Sequence, residues 1–424
     1  MLEELKELLQ EAGTDAWEIT DLKTRAYEFY FIRHRLDQNR IRDTRHVTLK
    51  VYRRFDGFLG SASAEVMPGS SRQDMEKLIR DLKERALLIK NPEYTLNPAV
   101  THKDEESLPE IGTIARDFIE VMQDLPETET EDINSYEIFA EENTKRFITS
   151  EGTDVTMVYP SAQLEVVVNA RQDSREIELY RMYTSGTCDR KMLKQEISRT
   201  LQTGRDKLLA GNTPELDTCD VLFSTDAALQ IYDYFLNRVN VRMKYQGISD
   251  LEIGDEVVPG AAGDQISASA VRYLPNSSAN RSYDSEGASV RNLSLIKDGK
   301  AENFWGSRQY ACYLGMGNTF IPGNFTISGG TCTEAELRQG RYLEVVEFSD
   351  FQVSPFNGDM AGEIRLAYYH DGDQVQIVSG GSVSGSVREL AANLHMTAAQ
   401  VQYDRMLVPA VLRLAGVTVT GIAD

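Results

Sequence analysis

The chain has 424 residues, with 66 acidic against 45 basic side chains, a net charge of −21 and a hydrophobic share of 41%. That length predicts two or three domains with substantial cores, and the charge opposes non-specific binding to a phosphate backbone. No apolar run of about 18 residues is available to span a membrane, and the acidic start Met1-Leu-Glu-Glu-Leu-Lys6 does not resemble a signal peptide, so a cytoplasmic protein is expected. Cys188, Cys219, Cys312 and Cys332 are scattered without a Cys-x-x-Cys pair, which reads as reduced structural thiols, with metal binding as the alternative.

Leu2, Leu5, Leu8 and Leu9 share one face of an opening helix that Gly13 ends. Ala16 to Arg35 alternates as a strand pair, with Leu36 to Arg40 as its turn. His46 to Phe55 alternates again, and Asp56-Gly57 turns it into the next strand from Phe58. Between them lies a basic cluster of Arg33, His34, Arg35, Arg40, Arg42, Arg45 and His46. It is either a docking site for an acidic partner or the solvated face of a strand, and the second is the plainer explanation.

Ser71 to Lys90 has the stripe of an amphipathic helix that Asn91-Pro92 ends. Leu108 to Leu125 predicts another helix, after a polar surface connection, and residues 126–132 an acidic linker. Five strand-like runs follow at 135–142, 145–150, 155–159, 163–170 and 176–183, with turns expected at Asn143, Glu151-Gly152 and Asp173-Ser174. A helix from Asp189 to Ala210 closes the first half. Helices over sheets here, and glycine-punctuated short strands with helices at 334–339 and 387–394 beyond, predict an α+β protein. Residues 1–212 are expected to form a mixed N-terminal domain and residues 213–424 a mostly-β sandwich or barrel.

The second half opens on Asp220 to Val241, a short buried strand ending at Ser224 and then a helix for which Thr225 or Asp226 is the expected cap. Leu229, Tyr232, Leu236 and Val239 recur at helical spacing, opposite Gln230, Asp233, Asn237 and Arg238. Downstream come Tyr283-Asp-Ser-Glu-Gly287, Leu295-Ile-Lys-Asp-Gly299, Pro322 to Gly330, Phe356-Asn-Gly-Asp-Met360 and Ile377 to Ser386. In this order, over more than half the chain, these segments resemble the TldD/PmbA family, whose members carry an old label as modulators of DNA gyrase. Given the charge of this chain, any such effect is expected to be indirect.

In the metallopeptidase branch of that family the helix carries His-Glu-x-x-x-His, and a cysteine near the C-terminus completes a zinc site. Here Tyr232, Asp233 and Asn237 occupy the corresponding helix positions, and no cysteine lies between Ala398 and Pro409. A catalytic zinc needs about three ligands of the His, Cys or carboxylate type. The resemblance therefore implies the metal-free, TldE/PmbA-like branch, with no metal and no other cofactor. It implies a heterodimer with a His-Glu-x-x-x-His paralogue, a homodimer when that paralogue is absent, and unfolded peptide as substrate. Membrane and direct nucleic-acid partners are not expected. The resemblance also places Asn324 and the Gly380-Gly381 turn at a peptide-binding cleft, where glycine lets an extended peptide approach a sheet edge.

Two other functions stay open. Asp233, Asp284 and Glu286 are the carboxylates available to a stand-alone, metal-independent hydrolase, although in a Tyr-Asp-Ser-Glu-Gly turn such side chains more often accept hydrogen bonds from local amides. A peptide-binding scaffold without catalysis is the third. His34, His46, His102, His370 and His395 read as separate imidazoles, with no Ser-His-Asp or Cys-His set to be assembled from the sequence.

Overall fold

The computed structural model describes residues 1–105, 108–317 and 319–422. The fold is α+β, as the sequence predicts. Its first sheet uses β1 (Ala16–Ile32), β2 (Arg35–Phe55), β3 (Phe58–Val66), β4 (Thr101–Lys103), β5 (Glu131–Thr149), β6 (Asp154–Gln172) and β7 (Arg175–Ser185). The spatial order is β3-β2-β1-β5-β6-β4, with β7 also on β6. Helices α1 (Leu2–Glu11), α2 (Arg72–Ala86), α3 (Ile111–Gln123) and α4 (Arg190–Leu209) accompany it. Leu5, Leu8 and Leu9 of α1 pack with Met75, Ile79 and Leu82 of α2 on Ile19, Leu49 and Val51. Phe118 and Met122 of α3 and Leu193 and Ile197 of α4 cover Ile138, Leu164 and Val166 further along.

The strands are longer than the sequence suggests. Leu36 to Arg40 is not a turn but the start of β2, and the reversal occurs at Arg33-His34, where Arg33 takes φ 52°. Asn143 is not a turn residue either. It sits buried in mid-strand, accepting from Thr24 Oγ1 at 2.7 Å and donating to Ser161 Oγ at 3.1 Å, so its polarity is satisfied across three strands. Pro160 also lies inside a strand. It falls between residues 154–156, which pair with β4, and residues 162–172, which pair with β7, so its missing N–H costs no bond there.

Beyond residue 210 the strands form two further sheets. The larger contains β8 (Gly211–Asn212), β9 (Asp217–Ser224), β14 (Tyr342–Val353), β15 (Asp359–Asp371), β16 (Gln374–Ser379), β17 (Ser382–Ser386), β18 (His395–Met396) and β21 (Val411–Thr420). The smaller runs β12-β11-β10-β13-β20-β19, from β10 (Ser267–Val271), β11 (Leu293–Lys297), β12 (Lys300–Ala301), β13 (Asn324–Ser328), β19 (Gln400–Tyr403) and β20 (Met406–Pro409). Because β15 is long enough to pair with β17 through residues 359–363 and with β14 through 360–370, the strands β14, β9, β21, β17 and β15 close into a five-stranded barrel. Closure removes the open edges these strands would otherwise present.

The helix α5 (Thr225–Arg238) leaves β9 directly and packs on β9, β14 and β21. Ser224 is its N-cap and makes no side-chain cap bond, so neither Thr225 nor Asp226 caps it; both lie inside the helix. Short helices α6 (Val241–Tyr245), α7 (Arg308–Tyr313), α8 (Glu334–Leu337) and α9 (Val387–Leu390) complete the half, the first two among runs the sequence reading gave to strands and loops. Among the described residues no helix is long and apolar enough to cross a membrane.

Candidate functional site

The helix α5 is enclosed on more than one face. Ala227, Ala228, Ile231, Tyr232, Tyr234, Phe235 and Leu236 are all buried, because barrel strands lie on one side and the loops carrying Val257 and Ile266 belong to the same core. Gln230, expected on the wet face, instead donates to Phe351 O at 2.6 Å and accepts from Val353 N at 3.3 Å, tying the helix to the irregular end of β14. Trp305 Nε1 donates to Leu236 O at 2.9 Å near the other end.

Tyr232 is completely buried, and its hydroxyl donates to Pro409 O at 3.4 Å. Burial pushes its pKa well above the ordinary phenol value, helped by the nearby Tyr403 and Asp264. Asp233 is half-buried, and desolvation raises its pKa against the opposing pull of Arg405. Asn237 is half-buried one turn further on. Along α5 these three positions thus present a neutral phenol, one carboxyl and one amide.

Asp284 and Glu286 sit at a joint between the two halves. Asp284 is buried; its Oδ1 accepts from Glu286 N and Ala288 N, each at 2.9 Å, and its Oδ2 from Ile321 N at 2.8 Å. Desolvation raises its pKa, opposed by those three amides and by Lys145. Glu286 Oε2 accepts from Arg308 N at 2.7 Å, at the start of α7. Its pKa is pushed up to about 7, first by burial and then by the charges of Asp284 and Glu18, against the Arg308 amide and Lys50. The Glu286 carbonyl accepts from Asn97 Nδ2 at 2.9 Å, and Ser282 Oγ donates to Asp104 at 2.7 Å. Gly287, at φ 77°, lets Phe147 of β5 and Thr153 of the β5–β6 turn close on it.

Asn324 is fully buried. Its Nδ2 donates to Arg272 O and Asn280 Oδ1, and its Oδ1 accepts from Ser277 Oγ at 2.6 Å, so its side chain fastens the 272–280 loop and presents no surface to a cleft. Gly380 and Gly381 face the chain's own end: a Cβ on the first would meet Ile422 and on the second the Thr420 carbonyl. A groove of about 390 Å³ runs along α5 instead. Tyr234, Phe235 and Arg238 form one wall, and Asp250, Val257 and Arg388 line the rest. Arg238 Nη2 bonds Asp250 Oδ1 at 2.8 Å, and the pKa of Asp250 is lowered first by its own backbone amide and then by that contact. Sequence reasoning missed this groove, since only the fold brings residues 234–238, 250–259 and 387–388 together.

Four members of the basic cluster meet acidic side chains. Arg42 bonds Glu28 at 2.9 Å and Glu141 at 2.6 Å, Arg45 holds Asp21 with two bonds, His34 meets Glu127 and His46 meets Glu65. These pairs are those of a solvated strand face with acids on its neighbours. Among the described residues one group of three side chains is placed to hold a metal ion, Asp264, Cys332 and His395, none of which belongs to α5.

Residues 216–421 match the family model described as the PmbA/TldA metallopeptidase C-terminal domain. The whole fold is shared with solved structures. TldE from Thermococcus kodakarensis superposes with a TM-score of 0.74 at 15% identity, covering 99% of this chain and 100% of that one. A candidate modulator of a DNA gyrase from Thermotoga maritima gives 0.72 at 16% identity, with 99% and 100% covered. Another from Bacteroides thetaiotaomicron gives 0.76 at 16% identity, with 99% and 98% covered. No curated protein matches the chain. The second half of the chain thus matches that family's C-terminal domain, in a fold shared end to end with these solved structures.

Proposed function

We propose that the chain is the non-catalytic, TldE-like subunit of a TldD/TldE-type peptidase complex in the cytoplasm. It pairs with a His-Glu-x-x-x-His paralogue, forms a homodimer of similar geometry without it, and holds unfolded peptides while the partner's metal site cuts them. Residues 1–212 and 213–424 act as its two domains. The observation that carries this reading is Tyr232, a neutral and wholly buried phenol at a position where the metal-bearing branch has an imidazole. A phenol with so high a pKa does not ionise near neutral pH to become a ligand, and Asn237 offers only a weakly donating amide. With Asn324, Gly380 and Gly381 packed internally, peptide holding falls to the groove beside Tyr234, Arg238 and Arg388.

The test is cleavage of an unstructured peptide by this chain alone, by the paralogue alone and by the mixture. Activity that needs the paralogue and is lost to a chelator supports the proposal. Activity of this chain alone, insensitive to chelator, overturns it in favour of a carboxylate hydrolase. That second reading is favoured by one observation, the Glu286 carboxyl with its pKa near 7, in the range useful to a general base. Peptide binding without cleavage even in the mixture would mark a scaffold.

A further inference from the structure

We propose that Asp264, Cys332 and His395 form a binding site for a divalent transition metal of the zinc class, separate from the family's helix position and independent of the function proposed above. Their ligand atoms, one carboxylate oxygen, one sulfur and one imidazole nitrogen, all lie within 4.8 Å of one another. In a tetrahedral zinc site with bonds of about 2.0–2.3 Å, neighbouring ligand atoms stand roughly 3.3–3.8 Å apart. Closing on an ion requires a contraction of at most about 1.5 Å, which exposed His395 can supply by a change of rotamer.

The three segments are far apart in sequence and held together by backbone. Asp264 N donates to Leu394 O at 2.8 Å, Cys332 N donates to Met396 O at 3.2 Å, and Ala398 N donates to Cys332 O at 2.8 Å. Two neighbouring glycines allow this approach: a Cβ on Gly263 would lie 2.1 Å from Leu394 O, and one on Gly330 would lie 2.2 Å from Thr397 O. The carboxylate is itself oriented, since Met396 N donates to Asp264 Oδ2 at 2.7 Å and Thr331 Oγ1 donates to Asp264 Oδ1 at 2.6 Å. Each oxygen keeps a lone pair for an ion, and such partners are the usual means of fixing a metal ligand's direction.

The donor set selects the ion. Magnesium and calcium take all-oxygen shells, whereas one sulfur, one nitrogen and one oxygen suit zinc or cobalt. Cys332 and Asp264 are half-buried and His395 is exposed, so a fourth position opens to solvent and is filled by water. Binding deprotonates the thiol and cross-links the loops at 264, 332 and 395, which stabilises the folded chain by mass action.

Cobalt(II) titration of the metal-stripped full-length chain, without the paralogue, tests the site. One equivalent of cobalt is expected to give a near-ultraviolet thiolate charge-transfer band and visible bands of low-symmetry tetrahedral cobalt, both displaced by zinc. Cys332→Ser is expected to abolish the near-ultraviolet band. His395→Ala, an exposed substitution that leaves the core intact, is expected to weaken binding by on the order of a hundred-fold, since even outer-shell changes cost 10–100-fold. Cys312→Ser is the control and retains the band. Zinc raises the melting temperature of the parent chain and of Cys312→Ser but not of Cys332→Ser. Absence of the band in the parent chain, or its persistence in Cys332→Ser, overturns the proposal.

Discussion

The Tyr232 hydroxyl donates to the Pro409 carbonyl, so α5 and the end of β20 are joined by a direct hydrogen bond of 3.4 Å. Because the bond is long, most of the contribution of Tyr232 lies in its buried ring rather than its hydroxyl.

Tyr232→Phe is therefore expected to cost about 0.5–1.5 kcal/mol, and Tyr232→Ala about 3–5 kcal/mol, in chemical denaturation. Tyr232→Phe is also expected to leave peptide cleavage by the reconstituted complex unchanged. A loss of cleavage in a stably folded Tyr232→Phe chain would give the hydroxyl a chemical role.

Glu286 makes stability depend on pH. Its folded pKa of about 7 lies above the ordinary carboxyl value, so between about pH 4.5 and 7 the folded state holds a proton that the unfolded state has released. Stability contributed by this group falls as pH rises through that window and is flat above it. Glu286→Gln keeps an acceptor for the Arg308 amide and removes the titration. The variant is expected to gain about 1–3 kcal/mol relative to the parent between pH 5 and pH 8, read from urea midpoints at each pH. Parallel pH profiles for the two chains would contradict the assignment.

Asp284 acts on the same turn through its three amide bonds. Asp284→Asn is expected to turn an NH₂ toward one or more of those donors and to cost about 2–3 kcal/mol. Differential scanning calorimetry should show that loss at every pH from 6 to 8. A full-stability variant would mean that the amides find other acceptors.

The joint between the halves depends on Gly287, where φ is 77° and an added Cβ would lie 2.7 Å from Thr153 Cγ2. Gly287→Ala is expected to destabilise by about 1–3 kcal/mol from strain and the clash together. Adding Thr153→Ser, which removes the opposing methyl, should recover part of that loss in a double-mutant cycle, while the backbone share persists. Strict additivity of the two substitutions would show that the turn does not close on Thr153.

Along the α5 groove, Arg388→Glu is expected to raise the KM of the reconstituted complex for acidic peptides several-fold, with kcat little changed, because a rim charge acts mainly on encounter. An unchanged KM would move peptide holding away from this groove.

Much of the fold was legible in the sequence because its signals are local. The stripe of Met75, Ile79 and Leu82, the Asp56-Gly57 hairpin and the capping helix after Cys188 need only neighbouring residues to be read. The strand lengths were not legible, since Asn143 looks like a turn residue until Thr24 and Ser161 arrive from other strands to satisfy it. Barrel closure was hidden for the same reason: nothing within residues 359–371 says that three different strands will pair along them. At the site, the phenol at 232 and the amide at 237 are visible in the sequence, and the local amides on Asp284 agree with its place in a turn, whereas Glu286 takes its amide from the distant Arg308. The inward burial of Asn324, the packing of Gly380 against Ile422, and the meeting of Asp264, Cys332 and His395 depend on contacts between segments distant in sequence.

The most direct test of the central claim is the cleavage rate of the complex reconstituted from the paralogue and a chain carrying Asp233→Asn and Glu286→Gln together. If this subunit holds peptide and performs no chemistry, that rate stays within about twofold of the parent complex, while replacing the glutamate of the paralogue's His-Glu-x-x-x-His abolishes it. A loss of about a hundred-fold or more in the double variant, with its fold and pairing intact, is the size of effect that removal of a general acid or base produces and would contradict the account.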